Sequence, residues 1–253
     1  MFEVATEIAV LLILAAFLAG FVDSIAGGGG LITVPALLLA GADPVQALAT
    51  NKLQGSFGAG TATLAYARAG HVRLGSQLLM AAVACLAGAA GALVAHLIPA
   101  EVLRVIMPVV LIAVAAFFAF RKGLSDDDRT RRVKPAVFTF TAVPLIAAYD
   151  GFFGPGTGSF FMMGFVLLAG FGVLKATAHT KLLNFASNVG SLLVFIPSGA
   201  TWWAVGFAMA LAQVAGAALG ARAAMRVGAR LIRPLLVVTS TGMALRLIWQ
   251  SFA

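Results

Sequence analysis

The chain predicts an all-α polytopic membrane protein of two inverted repeats. Each repeat combines full transmembrane helices with a glycine-broken short helix or re-entrant segment, roughly 8–10 segments in total. Three observations carry this. Of 253 residues, 61% are hydrophobic and only 10% charged, where a soluble domain carries about 25% charge. The stretches 74–100 and 182–221 hold no Asp, Glu, Lys or Arg. One pattern occurs twice, an acid, a glycine run and a lysine: Asp23, Gly27 to Gly30 and Lys52, then Asp150, Gly154 to Gly158 and Lys181, at offsets of 127 for the acids and 129 for the lysines. Finally, the basic residues gather in loops. The net charge of +8 therefore reads as positive-inside bias and not as nucleic-acid binding.

Helices are expected at 7–22, 31–40, 44–67, 74–98, 101–120, 135–149, 159–170, 173–196, 202–226 and 230–250. Glu3 and Glu7 precede the first apolar segment without a basic stretch, so a retained span is expected rather than a cleaved signal. Pro44 after Asp43 suits the first position of the third helix. The helices at 31–40 and 159–170 are too short for a bilayer of about 30 Å and read as half-helices or arms of re-entrant hairpins.

The polar stretch 121–134 separates repeat 1 (1–120) from repeat 2 (135–253) and reads as a cytoplasmic linker. With the linker inside, Arg68 and Arg73 are inside too. The cluster Arg222, Arg226, Arg230 and Arg233 joins them only if the second half is inverted relative to the first. Both termini then lie outside, with Arg104 and Arg246 as the exceptions to the bias. Trp202 and Trp203 open a helix at the outer interface, where aromatic residues concentrate. Gly88 with Gly91, and Gly216 with Gly220, mark helix-packing faces, and these faces suggest a homodimer. Cys85 is the single cysteine and excludes a disulfide within the chain.

Lys52 and Lys181 each lie eight residues into a helix, about 12 Å deep. A cation there costs about 2.5–3.5 kcal/mol, which marks it as functional. Two roles fit: contact with an anion, or a buried Lys–Asp pair joining the halves. Asp23 and Asp150 end helices before the glycine breaks. They read as caps for free backbone donors, as partners of the lysines, or as proton carriers that couple transport. Gly28, Gly29 and Gly30 in one copy, and Gly156, Thr157 and Gly158 in the other, precede half-helices. A half-helix N-terminus offers free N–H groups and about half a positive charge, which suits an anion. Neither run is a Walker loop. Thr50, Asn51 and Gln54 beside Lys52, and Thr180, Asn184 and Asn188 beside Lys181, form polar helix faces that can bond an oxyanion or another helix. His71, His96 and His179 have no metal-ligand spacing, so no metal, cofactor or catalytic residue is expected.

The residues from Gly20 to Pro35, with Ala47 to Lys52, closely resemble the sulfite exporter TauE/SafE family. Tyr149 to Gly158 and Ala178 to Asn184 look like its YfcA-type branch. The resemblance covers essentially the whole chain. It implies a multi-pass permease of the bacterial inner membrane moving small sulfur-containing anions such as sulfite or organosulfonates. By motif match it places Asn51, Lys52, Thr180 and Lys181 in the family's central region.

The expected function is a secondary transporter exporting a small anion by alternating access, with the lysines giving the site net positive charge. The expected partners are the anion and the lipid bilayer. A passive anion channel is the alternative. An intramembrane aspartyl protease with Asp23 and Asp150 as its dyad is a distant one, since the Gly-Xaa-Gly-Asp partner motif is missing.

Overall fold

The computed structural model describes residues 2–119 and 127–228. The last expected helix, with Arg230, Arg233 and Arg246, and the first half of the linker lie outside them. The first half of the chain contributes α1 (Thr6–Ala26), α2 (Gly30–Leu39), α3 (Pro44–Arg68), α4 (Leu78–Leu97) and α5 (Ala100–Ala119). The second half contributes α6 (Pro135–Phe140), α7 (Ala142–Phe152), α8 (Thr157–Leu167), α9 (Val173–Phe195) and α10 (Trp203–Val227). No strand occurs among the described residues.

Two boundaries differ from expectation for physical reasons. The first helix runs past Asp23 to Ala26, and Gly27 closes it at φ +83° with its N–H on the Asp23 carbonyl (2.8 Å). Asp23 therefore sits in the last turn and not after it. The expected 135–149 helix is two pieces, α6 and α7, divided at Thr141. Pro144 has no N–H to offer the Phe140 carbonyl four residues earlier, and its ring crowds that carbonyl. The start of α3 matches expectation. Pro44 opens it, Asp43 accepts the Gln46 N–H (2.9 Å), and the Gln46 side chain accepts the Asp43 N–H (3.0 Å). The first N–H groups of α10 are met from the other half of the chain, where Glu3 accepts from Ala204 (2.8 Å) and Val205 (3.0 Å).

Thr6–Ala26, Leu74–Leu97, Pro135–Phe152 and Trp203–Val227 are long and apolar enough to cross a membrane. By contrast, α2 and α8, with 10 and 11 residues, are each about 15 Å long and reach half-way. Polarity is arranged for lipid. Leu86, Leu97, Leu145 and Leu211 are exposed, while Lys52 and Lys181 rank among the largest fully buried side chains.

The halves exchange matching contacts. Helix α1 lies along α10 of the other half, and α7 lies along α4; α3 and α9 cross at the centre, flanked by α10 and α4. Glycine allows these approaches. A Cβ on Gly216 would meet the Phe17 carbonyl, and one on Gly91 the Ala148 carbonyl. The glycine faces that suggested a homodimer are thus occupied within the chain.

The second half of the linker straps the turn between α8 and α9. Arg129 N–H donates to the Gly170 carbonyl (2.7 Å), and the Arg132 and Val133 N–H groups donate to that of Leu168 (3.0 and 3.2 Å). Asp128 accepts the Gly172 N–H (2.7 Å) and pairs with Lys175 (2.6 Å). The pair is half exposed, so it contributes less than about 1 kcal/mol. The Lys175 hydrogen bond first, then the Gly172 N–H, hold the Asp128 carboxyl below its ordinary value. A depressed carboxylate stabilises the folded state above its unfolded pKa and loses that contribution as pH falls through the folded one. Hydrogen-exchange protection of the Gly172 amide is therefore expected to weaken on acidification through the low carboxylate range. Asp128→Asn should remove that pH dependence.

Candidate functional site

The two glycine breaks abut at the centre of the molecule. The Gly27 carbonyl accepts the Ser159 N–H (3.1 Å), and the Ser159 hydroxyl donates to the Ala26 carbonyl (2.6 Å). A Cβ on Gly27 would fall on the carbonyl carbon of Gly158, and its positive φ disfavours any side chain, so this crossing demands glycine.

Each lysine crosses to the opposite half. Lys52 on α3 reaches the last turn of α7, pairing with Asp150 Oδ1 at 2.8 Å and donating to the Asp150 carbonyl. Lys181 on α9 reaches the last turn of α1, donating to the Asp23 carbonyl and pairing with Asp23 Oδ2 at 3.4 Å. A helix C-terminus ends in carbonyls short of donors and carries about half a negative charge. The ammonium groups meet this negative end charge where the glycine breaks cut the helices; Lys52 also supplies the donor the Asp150 carbonyl lacks, whereas the Asp23 carbonyl already accepts the Gly27 N–H. Both lysine side chains are 0% exposed, and a buried charge is tolerable only when paired and hydrogen-bonded.

The pairs are not equivalent. Asp150 is held on both oxygens, with the Ser187 hydroxyl on Oδ2 at 2.5 Å, and its side chain is 3% exposed. Asp23 takes the Gly29 N–H at a looser 3.2 Å and is 13% exposed.

Between the breaks lies a cavity of about 20 Å³, room for roughly one water. Asp23 and Asp150 form part of its wall. The breaks and half-helix starts contribute Gly29, Gly30, Gly156, Thr157 and Gly158. Asn51, Asn184, Asn188 and Gln213 come from the long helices. The Gly30 and Gly158 amides have no acceptor among the described residues.

Hydrogen bonds decide which atom each side-chain amide leaves open. Asn51 Oδ1 accepts from the Thr33 hydroxyl (2.6 Å) and from Gln54 (2.8 Å), which leaves Nδ2. Asn188 Nδ2 donates to the Asn184 carbonyl (2.7 Å) and Oδ1 (3.2 Å), which leaves Asn188 Oδ1 and Asn184 Nδ2.

Other sequence-predicted residues stand outside the wall. Lys52 and Lys181 grip its carboxylates without forming part of it. The Thr50 hydroxyl accepts the Trp202 N–H (3.0 Å) and ties α3 to the start of α10. Gln54 orients Asn51. The Gly28 carbonyl accepts the Leu31 N–H (3.1 Å) and starts α2. Thr180 is buried with no partner for its hydroxyl among the described residues. His179 packs on the Phe165 and Phe171 rings.

Gln213 was not predicted. It is buried in α10, packs on Gly20 and Gly58, and its Oε1 has no partner among the described residues. One signal could have found it. Apart from two arginines near its end, α10 holds no other polar side chain, and an amide in mid-span is costly without a role.

The model of the family described as sulfite exporter TauE/SafE matches residues 12–247. The chain belongs to the sulfite exporter TauE/SafE family. It is 57% identical over 246 residues to the probable membrane transporter protein ORF9 of Sinorhizobium sp, covering 97% of this chain and 94% of that protein. It is 44% identical over 251 residues to the probable membrane transporter protein YfcA of Escherichia coli strain K12, covering 99% and 93%. A probable membrane transporter protein of Haemophilus influenzae is 39% identical over 248 residues, covering 98% and 97%. No solved structure matches the chain. This TauE/SafE member is therefore a membrane transporter, as the resemblance in its glycine motifs implied.

Proposed function

We propose that this TauE/SafE member is a secondary transporter that exports a small anion, sulfite or an organosulfonate, by rocking two inverted repeats about the central cavity. One observation carries the reading: two half-helix N-termini, one from each half, meet at a single polar cavity. Each offers an amide unpaired among the described residues, Gly30 in one and Gly158 in the other, and about half a positive charge. The two Lys–Asp pairs cancel, so the attraction first assigned to the ammonium groups falls to these helix ends. The lysines act as positioning residues that hold the cut helices in register.

The size of the cavity favours a carrier over a channel. An oxyanion can pass only when the wall parts, and the matching exchanged contacts of the halves offer a way for it to part from either side. Each carboxylate engages an ammonium and not the other carboxylate, which speaks against a proton-sharing protease dyad. The distribution of arginines supports the inverted arrangement, and membership of the family supports an inner-membrane location.

Counterflow in proteoliposomes tests this. Vesicles loaded with unlabelled sulfite are expected to accumulate external labelled sulfite transiently, with a saturable rate. Unsaturable conductance would identify a channel, and absence of flux for sulfite and organosulfonates alike would reject the anion reading.

A further inference from the structure

We infer that the strap between the halves and the far end of α8 form a binding site for the phosphate headgroup of an anionic phospholipid, held by Arg129 and Arg132. The site is apart from the central cavity, and the inference does not depend on which anion is transported.

Depth places the site. Helix α8 begins at Thr157, which lines the central cavity, and ends at Leu167. Its 11 residues advance about 16 Å along the axis. That is half of a hydrocarbon core of about 30 Å. With the cavity at mid-depth, Val166 and Leu167 stand where hydrocarbon gives way to headgroups. The chain after the strap agrees. Helix α6 starts at Pro135, and its Val137 and Phe140 are exposed apolar side chains, as lipid contact requires.

Charge gives the site its sign. Asp128 is neutralised by Lys175. Arg129, Arg131, Arg132 and Lys134 are exposed and have no carboxylate at ion-pair distance among the described residues. Asp127 is the other acid of the described strap. The bias of basic residues puts this stretch on the cytoplasmic side, where anionic lipid attracts cations beside the membrane.

Charge alone would give a diffuse attraction. A pocket makes it a site. It measures about 260 Å³, against about 20 Å³ for the central cavity, and is lined by Arg129, Thr130, Arg132, Val166 and Leu167. The strap supplies basic and hydroxyl-bearing residues, and α8 supplies apolar ones. A phospholipid divides in the same way, into a phosphate with its alcohol and the first methylenes of its chains. Free phosphate would gain nothing from Val166 and Leu167. Phosphatidylcholine has the phosphate but brings its own cation.

The main chain of the strap is fixed in advance. Arg129 N–H is held by the Gly170 carbonyl and Arg132 N–H by that of Leu168. A Cβ on Gly170 would strike the Arg129 carbonyl, so the approach is close. Binding therefore orders side chains only, which lowers its entropic cost. Because both N–H groups are engaged, what these two residues offer a ligand is the guanidinium, the side chain whose planar fork binds phosphate bidentately.

Native mass spectrometry tests this. The delipidated full chain in detergent is titrated with phosphatidylglycerol, or with phosphatidylcholine of the same acyl chains. The first phosphatidylglycerol is expected to bind at least about tenfold more tightly than phosphatidylcholine. Arg129→Gln combined with Arg132→Gln should weaken phosphatidylglycerol about 30-fold, at about fivefold for each basic residue removed, and leave phosphatidylcholine within about twofold. Arg131→Gln removes the same charge from a neighbour that does not line the pocket, and should cost less than about twofold. Inorganic phosphate at the same concentration should not displace the lipid.

Equal binding of the two lipids overturns the inference, as does unchanged phosphatidylglycerol affinity in the folded double variant. An Arg131→Gln effect as large as that of either lining arginine would reduce the site to diffuse attraction and overturn it too. Displacement by inorganic phosphate would make this a site for the free ion and not for a lipid. If the double variant does not fold, the two lipids and the phosphate competition on the wild type decide. Sulfite counterflow is read separately, so either result leaves the transport reading standing.

Discussion

Lys52→Met is expected to cost about 3–5 kcal/mol of stability, because it strands the Asp150 carboxylate in the interior without its ammonium. The Lys52–Asp150 pair is at 2.8 Å with both side chains nearly inaccessible, so water cannot replace the missing partner. Thermal unfolding in detergent reads the loss. Adding Asp150→Asn should recover most of it, since neutralising both members of a buried pair is often close to neutral. Sulfite counterflow is expected to stay lost in the double variant, because the donor to the Asp150 carbonyl at the cut end of α7 is also gone. Lys181→Met should be milder. Its Asp23 partner lies at 3.4 Å and is 13% exposed, so part of the stranded charge can be solvated. Equal stability of both single variants and the wild type would mean that the lysines are not paired in the folded protein.

Gly27→Ala should be among the most damaging single-methyl changes at the described glycines. Two costs add at this position. A left-handed residue with a side chain costs about 1–2 kcal/mol, and forcing a methyl into backbone costs about 1–3 kcal/mol more. The obstruction is the Gly158 carbonyl carbon and the Ser159 amide nitrogen, which cannot rotate away as a side chain can. Gly41 is the control. Its φ is +95°, yet nothing lies within 4 Å of its added Cβ, so Gly41→Ala should show the backbone cost alone. The two variants compared by unfolding temperature and by counterflow separate strain from crowding. Equal effects would mean that the glycine breaks do not touch.

Much of the architecture was legible beforehand. The short helices after the glycine runs, the Asp43–Pro44 start of α3 and the depth of both lysines follow from local chemistry: span length, capping, and the cost of charge in lipid. The break at Thr141 was legible in principle from Pro144 but was masked by continuous hydrophobicity. Within the site, Asn184 and Asn188 were found because they share a helix face with Lys181, and Asn51 because it adjoins Lys52. Gln213 was missed because it lies on a helix without any motif, and only packing brings it to the cavity.

The amino-acid sequence by itself determined that this is a membrane transporter of the TauE/SafE family with two glycine-broken halves, because composition, span length and repeated motifs are properties of the chain alone. Tertiary structure alone decided how the charges are used. Lys52 and Asp150, and Lys181 and Asp23, are remote in sequence, and their partnership depends on each lysine crossing to the other half. Only that crossing shows that the ammonium groups serve the cut helix ends, while the aspartates, asparagines and half-helix starts line the cavity.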